Sequence, residues 1–449
     1  MGAFIKDAVN NYKTSESYLT ASEAQDYYAR QNSEILRRLS ALQRAGKGGA
    51  DINVTYHKLC NGFFPFFVKQ LSQYLLGNGV TLDANTKKRL GVKFDKALQK
   101  MGLQALVDGV AWGFWNKPTA RVPEAHLLIF RATEFVPLFD EINGDLRAGI
   151  RWTQIDPQKP VVYYLFTEEN ITTYEAEKAD GDIVQTDTQP YIKKVRRDGL
   201  GEEIVDTDNQ PTIPIFPLYA NELKRSEFMG MKSMIDAYDF INSDLADNIT
   251  QVEGVYWVIK NFGGEDEREL VRTLQAFKAL VDDSASDSSA EASTLEVPYQ
   301  AKQTALELLR KQMFSDFMAL DVESIQGGSL TNVAINVAKT NLDLKADLFE
   351  WQCADFVGNI LALIGTSEEP IFKRRTITND TETINNISTM LSDGYIDNQW
   401  AIENCPLVAD IDQGDLLDRL TIEQLETAGS VFPIVEDGET EEDDGQGGE

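Results

Sequence analysis

Apolar residues recur every three or four positions from Met231 through Met234, Tyr238, Ile241, Leu245 and Ile249 to Val252, which places them on one stripe of a helix. Ser226 stands as its N-cap and Gly254 as its stop. The spacing therefore predicts one helix over 226–254, on the order of 40 Å long at ~1.5 Å per residue. The opposite strip carries Asp236, Asp239, Ser243, Asp244, Asp247 and Thr250, and no basic residue follows Lys232 until Lys260. One side is apolar and the other acidic, the pattern of a long helix with a solvated charged face.

Upstream, the same period predicts helices over 15–45, 57–76 and 85–112, with breaks at Gly46 to Gly49 and at Gly77-Asn78-Gly79. Over 127–215 the period changes to two, in GIRWTQI, VVYYLFT, ITTYEAE and YIKKVRR, and predicts an antiparallel sheet. Downstream of Gly254 a strand (GVYWVIKNF), a short helix (EDERELVRTLQAFKALV), a serine-rich spacer and a strand ending at Pro298 make a small αβ insert. A second helix over about Tyr299–Leu320 then returns antiparallel to the first if the insert sits at one tip. DVESIQGGSLT, residues 321–331, is a Gly-rich polar loop, and a third long helix begins near Ser329 or Thr331 and runs toward Ile364. A strand over 370–380 rejoins the upstream body, and helices follow around Gly394 and up to residue 428. Residues 436–449 hold only acids, Gly, Thr and Gln and are expected to be disordered. The fold class is α+β.

At 449 residues, length predicts two or three domains. The net charge of −30 changes the functional picture more, because such a surface repels polyanions. A static grip on nucleic acid needs basic patches, so any role toward DNA must be passage or guidance. Cys60, Cys353 and Cys405 are an odd count at no metal-like spacing and read as reduced thiols without a disulfide framework. The N-terminus lacks the apolar run of a signal peptide or a myristoylation pattern, and no stretch approaches the ~18–20 apolar residues of a membrane span.

Enzymatic chemistry finds no constellation here. His57 and His126 stand alone beside apolar segments and read as packing residues. Gly263-Gly264 and Gly327-Gly328-Ser329 lack the phosphate-loop spacing and its lysine, and Asp282-Asp283 and the Glu441–Asp444 run read as solvated acids. No catalytic residue, metal site or cofactor is expected.

The stretch LYANELKRSEFMGMKSMIDAYDFINSDLADNI carries a resemblance. With the WVIKNFGG strand, the short helix, the TLEVP strand, and a Gly-rich loop leading into TNVAINVAKTNLDLKADLFEWQ, it resembles the SPP1-type portal proteins of tailed bacteriophages. QDYYARQNSEIL and FPFFVKQLSQYLLGNGVTL are similar to that family as well, and the agreement runs in order from about residue 20 to about 425.

The resemblance implies an α+β wing at 1–225, a first stem helix at 226–256, a clip at 257–298 and a second stem helix at 299–320. A tunnel loop at 321–331, a long tunnel helix with a return strand to the wing at 332–380, a crown at 381–428 and an acidic tail at 429–449 follow. It implies a non-enzymatic ring of about twelve subunits at one capsid vertex, assembled in the host bacterial cytoplasm, through which double-stranded viral DNA is packaged and ejected. Implied partners are the terminase large subunit, the major capsid and scaffolding proteins and a head-completion adaptor protein, with no membrane. Asp321, Glu323, Ser324, Gln326, Gly327, Gly328, Ser329 and Thr331 would form the tunnel loop. Asp236, Asp239, Asp244 and Asp247 would be the acidic stem face, and Glu265, Asp266, Arg268, Glu269 and Arg272 would face the terminase. An acidic ring of about −360 would repel a duplex bearing one charge per ~1.7 Å and so keep barriers to sliding low. The alternative is an oligomeric scaffold or adaptor of the virion that conducts nothing.

Overall fold

Residues 1–37, 57–116, 125–156, 159–177, 181–198, 201–208, 212–251, 299–325, 332–375 and 380–405 are described by the computed structural model. They fall into two units, residues 1–321 with 339–375, and residues 322–338 with 376–449. The clip and the acidic tail expected from the sequence lie outside the described residues, as does the crown beyond residue 405.

Among the described residues the larger unit is built on four sheets. A five-stranded antiparallel meander runs β4 (Phe135–Phe139), β5 (Leu146–Thr153), β6 (Val161–Phe166), β7 (Ile171–Ala176) and β8 (Val184–Gln189). A three-stranded sheet has the order β11 (Ile215–Tyr219), β2 (Val110–Asn116), β3 (His126–Arg131). β9 (Ile192–Asp198) and β10 (Gly201–Asp208) form a separate hairpin. β1 (Val80–Thr81) pairs with β12 (Ile371–Phe372), so the chain does return near residue 371 to the upstream body. The expected region of period-two alternation is a sheet, but β2 begins inside the stretch expected to be helical to residue 112. Its VAWGFWN run is buried almost throughout, so no alternation marks it.

No element is expected before residue 15, yet α1 (Gly2–Lys13) covers the meander. Ile5 and Val9, one turn apart, pack against Val136, Ile150, Val161 and Tyr163. The helix expected over 15–45 is α2 (Glu16–Tyr28) followed by a break, because Arg30 takes a left-handed φ of 58° before one further turn at 33–37. α3 (Phe63–Leu76) tolerates Pro65 in its first turn, where no intrahelical N–H bond is lost. The helix expected over 85–112 is split into α4 (Ala84–Leu90) and α5 (Phe94–Asp108) by Gly91 at φ 85°. α6 (Lys232–Gln251) and α7 (Tyr299–Phe317) follow as a contacting pair. α8 (Val322–Ile325) is a single turn, and α9 (Asn332–Leu363) is the third long helix at the expected place.

In the larger unit α9 buries Leu342, Ala346, Phe349, Cys353, Phe356 and Ile360. Gly113 of β2 admits it, because a Cβ there would stand 2.6 Å from the Phe356 ring. In the smaller unit α10 (Asp380–Ser392) and α11 (Asn398–Asn404) pack together across a turn at Gly394, φ 75°.

Asp108 closes α5 almost wholly buried, held by the Gln25 amide at 3.0 Å. Burial outweighs that bond and the nearby Arg131 and pushes its carboxyl from 3.8 up to about 6. A raised folded-state pKa gives stability that is full below the ordinary value and is lost as pH climbs through about 6. Between pH 4 and 7 Asp108 should therefore cost on the order of 2 kcal/mol. Urea unfolding of Asp108→Asn beside the parent should show that slope removed; parallel curves across this range would refute the assignment.

Candidate functional site

The candidate site is the foot of the α6–α7 pair and the chain that leaves it through Leu320 and Asp321. α6 starts later than its sequence suggests. Ser226 is not its N-cap: the hydroxyl donates to the Val107 carbonyl at 2.5 Å and accepts the Phe228 amide at 3.1 Å, while the Glu227 amide bonds to the Leu106 carbonyl. Residues 226–231 are thus turns docked on the end of α5, and the helix proper begins at Lys232.

The expected solvated acidic strip is corrected as well. The buried line runs from Met231, just before α6, through Ile235, Asp239, Ser243 and Asp247 of the helix, one residue per turn, apolar at its start and polar beyond. The chain at 57–61 lies along it. The amides of His57, Leu59 and Asn61 donate to Asp247 Oδ1 at 2.7 Å, Ser243 Oγ at 3.0 Å and Asp239 Oδ1 at 2.8 Å. Alternate amides of an extended chain are ~6.6 Å apart and helix positions four apart ~6.0 Å, so the two repeats match turn for turn. Asp239 also accepts from the Asn61 and Asn32 side chains. Burial pushes its carboxyl up, while those hydrogen bonds pull it down.

Asp236 accepts from the Tyr27 hydroxyl at 2.5 Å and pairs with Lys232 at 3.2 Å, and burial, then that bond, lifts the Tyr27 phenol to about 12. Asp244 reaches Lys302 across the helix pair. The expected apolar stripe is only half-buried at Met234, Tyr238, Ile241 and Leu245, and Ile249 is exposed. His57, read from sequence as a packing residue, sits with Nδ1 2.9 Å from Asp247.

Aromatic rings fill the foot of the pair. Phe67 of α3 meets Phe314 edge-on at 4.9 Å and stacks on Phe317 at 5.0 Å, and Phe63 meets Tyr238 edge-on at 5.1 Å. α7 ends at Met318, whose φ is 62°, and the chain beyond it is clamped twice. The Gln70 amide donates to the Leu320 carbonyl at 2.9 Å and accepts the Leu320 amide at 3.0 Å. The Arg310 guanidinium grips both oxygens of Asp321, at 2.8 and 3.0 Å, while lying over the Phe314 ring.

Of the expected loop residues, Asp321 is in this clamp, and Glu323 and Ser324 belong to the turn α8. Gln326, Gly327, Gly328, Ser329 and Thr331 lie outside the described residues, as do Glu265, Asp266, Arg268, Glu269 and Arg272. Sequence reasoning passed over Gln70 and Arg310. Arg310 carried one signal, a cation eleven residues before an acid at a helix end. Gln70 carried none.

Further along the larger unit Arg374 meets Asp343, Asp347 and Glu350, one cation against three acids of α9, and the Tyr74 hydroxyl donates to Asp343. Among the described residues no group of three or more His, Cys, Asp or Glu could hold a metal ion, and no helix is long and apolar enough to cross a membrane.

A helix pair, a Gly-rich loop and a third long helix are the order of elements that the resemblance carries, and comparison with known proteins decides the family. The sequence model of the family described as "Phage portal protein, SPP1 Gp6-like" matches residues 10–428. The chain belongs to this portal family. Over 427 residues this portal chain is 22% identical to the portal protein of Clostridium phage phiCD119, covering 88% of this chain and 91% of that one. Over 418 residues it is 24% identical to the portal protein of Bacillus phage SPP1, covering 86% and 80%. Among solved structures, a chain of the native gene transfer agent virion is 10% identical with a TM-score of 0.33 and shares 76% of this chain and 88% of its own. A chain of the neck of the empty gene transfer agent particle is 11% identical with a TM-score of 0.35 and shares 81% and 92%. At such TM-scores neither likeness bears on the portal chain.

Proposed function

We propose that this portal chain is the subunit of a ring of about twelve copies at one capsid vertex, the channel for packaging and ejecting double-stranded viral DNA. The terminase large subunit and a head-completion adaptor dock on it, and the ring sits among the major capsid and scaffolding proteins. The observation that carries the reading is the family match over residues 10–428. The pair α6–α7 would be the stem and residues 321–331 the tunnel loop. Charge agrees with passage rather than grip, at −30 per subunit. Neither the ring nor its cargo requires catalysis by this chain, so the energy for packaging comes from a partner.

The clamp gives the loop a mechanical reading. Arg310 and Gln70 fix the chain at Leu320 and Asp321, which would anchor the near end of the tunnel loop, and glycine as a residue type, here at 327 and 328, permits backbone geometries closed to others.

Native mass spectrometry with end views by electron microscopy tests the ring: about twelve subunits around a hole wider than the ~20 Å duplex is expected, and filaments or small oligomers would favour a non-conducting scaffold. Gly327→Pro with Gly328→Pro should still form rings yet stall packaging or let packaged DNA slip back. Normal genome retention in particles built from that variant would make 321–331 a structural turn.

A further inference from the structure

Among the described residues the hairpin β9–β10 is joined to no other strand. Its register matches charge: Arg197 stands opposite Glu202, Arg196 opposite Glu203 and Lys194 opposite Asp206. β9 concentrates four cations in the five residues 193–197 of a chain with net charge −30, and β10 holds four acids and no cation. Among the described residues each strand therefore has one edge paired and one edge that no other strand joins. An isolated two-stranded ribbon is marginal in water, and an open edge is a template for another strand.

We propose that β9 of one copy pairs with β10 of the next, so that hairpins join edge to edge between neighbouring subunits. Direction follows from geometry. Copies related by rotation present their strands in the same order, so β9 meets its neighbour's β10, and the two run antiparallel because they do so within each hairpin. Charge selects this pairing among the three that open edges allow. β9 against a second β9 sets cations opposite cations, β10 against a second β10 sets acids opposite acids, and only β9 against β10 repeats the match already present inside the hairpin. The contact is heterologous, the kind that repeats from copy to copy and closes when the rotation allows. A register shift between Ile204 and Asp206 limits the regular stretch to Gly201–Ile204, so each contact is short and screened by salt.

This inference rests on the ring reading, and its test separates the two. In a Cys60→Ser, Cys405→Ser background, which leaves only the buried Cys353, Arg196→Cys and Glu203→Cys are made as separate chains. They are expressed singly or together and treated with a bis-maleimide of roughly 10 Å reach, which tolerates slippage of two residues at ~3.3 Å each. Native mass is recorded before cross-linking. Covalent dimers at least fivefold more abundant in co-expressed rings than in either single variant are expected. Equal dimers in a single variant would mean like strands meet, and no dimers in full-sized rings would mean the hairpins stay apart. Either result overturns the inference and leaves the ring intact as a reading. Absence of rings in the parent chain overturns both. Arg197→Cys with Glu202→Cys, the neighbouring matched pair, repeats the test should the first pair fail to fold.

Discussion

Asp239→Ala should cost about 3–5 kcal/mol of stability, the largest loss expected from any single acid of α6. The carboxylate is fully buried and accepts from the Asn61 amide, the Asn61 side chain and the Asn32 side chain, so its removal strands three donors at once. Its surface neighbour on the same helix gives the contrast. Asp244 is 42% exposed and pairs with Lys302 across the helix pair, and Asp244→Ala should cost below about 1 kcal/mol. Urea midpoints of the two variants decide between a buried clasp and a solvated acidic face. Equal, small losses would return Asp239 to the solvated reading. Proteolysis adds a local readout, because cleavage near residue 58 should rise in Asp239→Ala and not in Asp244→Ala.

Much of this arrangement was legible in the chain and some of it was not. The 3.6-residue period located α6, α7 and α9, because a long amphipathic helix repeats its signal over many turns. Period-two alternation located β5, β6 and β7, whose two faces differ in burial. β2 escaped because both its faces are covered, and the splits at Arg30 and Gly91 escaped because one left-handed residue does not disturb the apolar period on either side. The acidic strip shows the deeper limit. Composition gives the charge on a helix face, but not whether that face meets water or a passing backbone. Asp239, Ser243 and Asp247 look solvated in sequence and are among the most buried residues of their helix. The amides of 57–61 that bury them are present in every sequence and announce nothing. The clamp at Leu320 and Asp321 is hidden for a similar reason, since Gln70 lies 250 residues away in the chain.

Gly109→Ala should be the most damaging small substitution in the larger unit. Gly109 ends α5 in the left-handed region, with φ 89° and ψ −30°. Its carbonyl accepts the Ala220 amide at 3.0 Å, and an added Cβ would stand 2.8 Å from the Ser226 nitrogen and 3.0 Å from the Arg225 carbonyl carbon. Those atoms are backbone and cannot swing aside, and they belong to the turn that seats α6 on the sheet body. Two costs therefore add. The left-handed backbone costs an alanine roughly 1–2 kcal/mol, and displacing the 225–226 turn costs a further 2 kcal/mol or so by disturbing the Ser226 hydroxyl bonds to Val107 and Phe228. Gly144 separates the two, since it has φ 73° with nothing within 4 Å of its Cβ position. Gly144→Ala should show the backbone cost alone. Thermal unfolding of both should place Gly109→Ala well below Gly144→Ala, with ring formation impaired only in the former because α6 loses its seat. If the two melt together, residues 225–226 yield to a methyl group, and the turn before α6 is soft where these contacts imply that it is fixed.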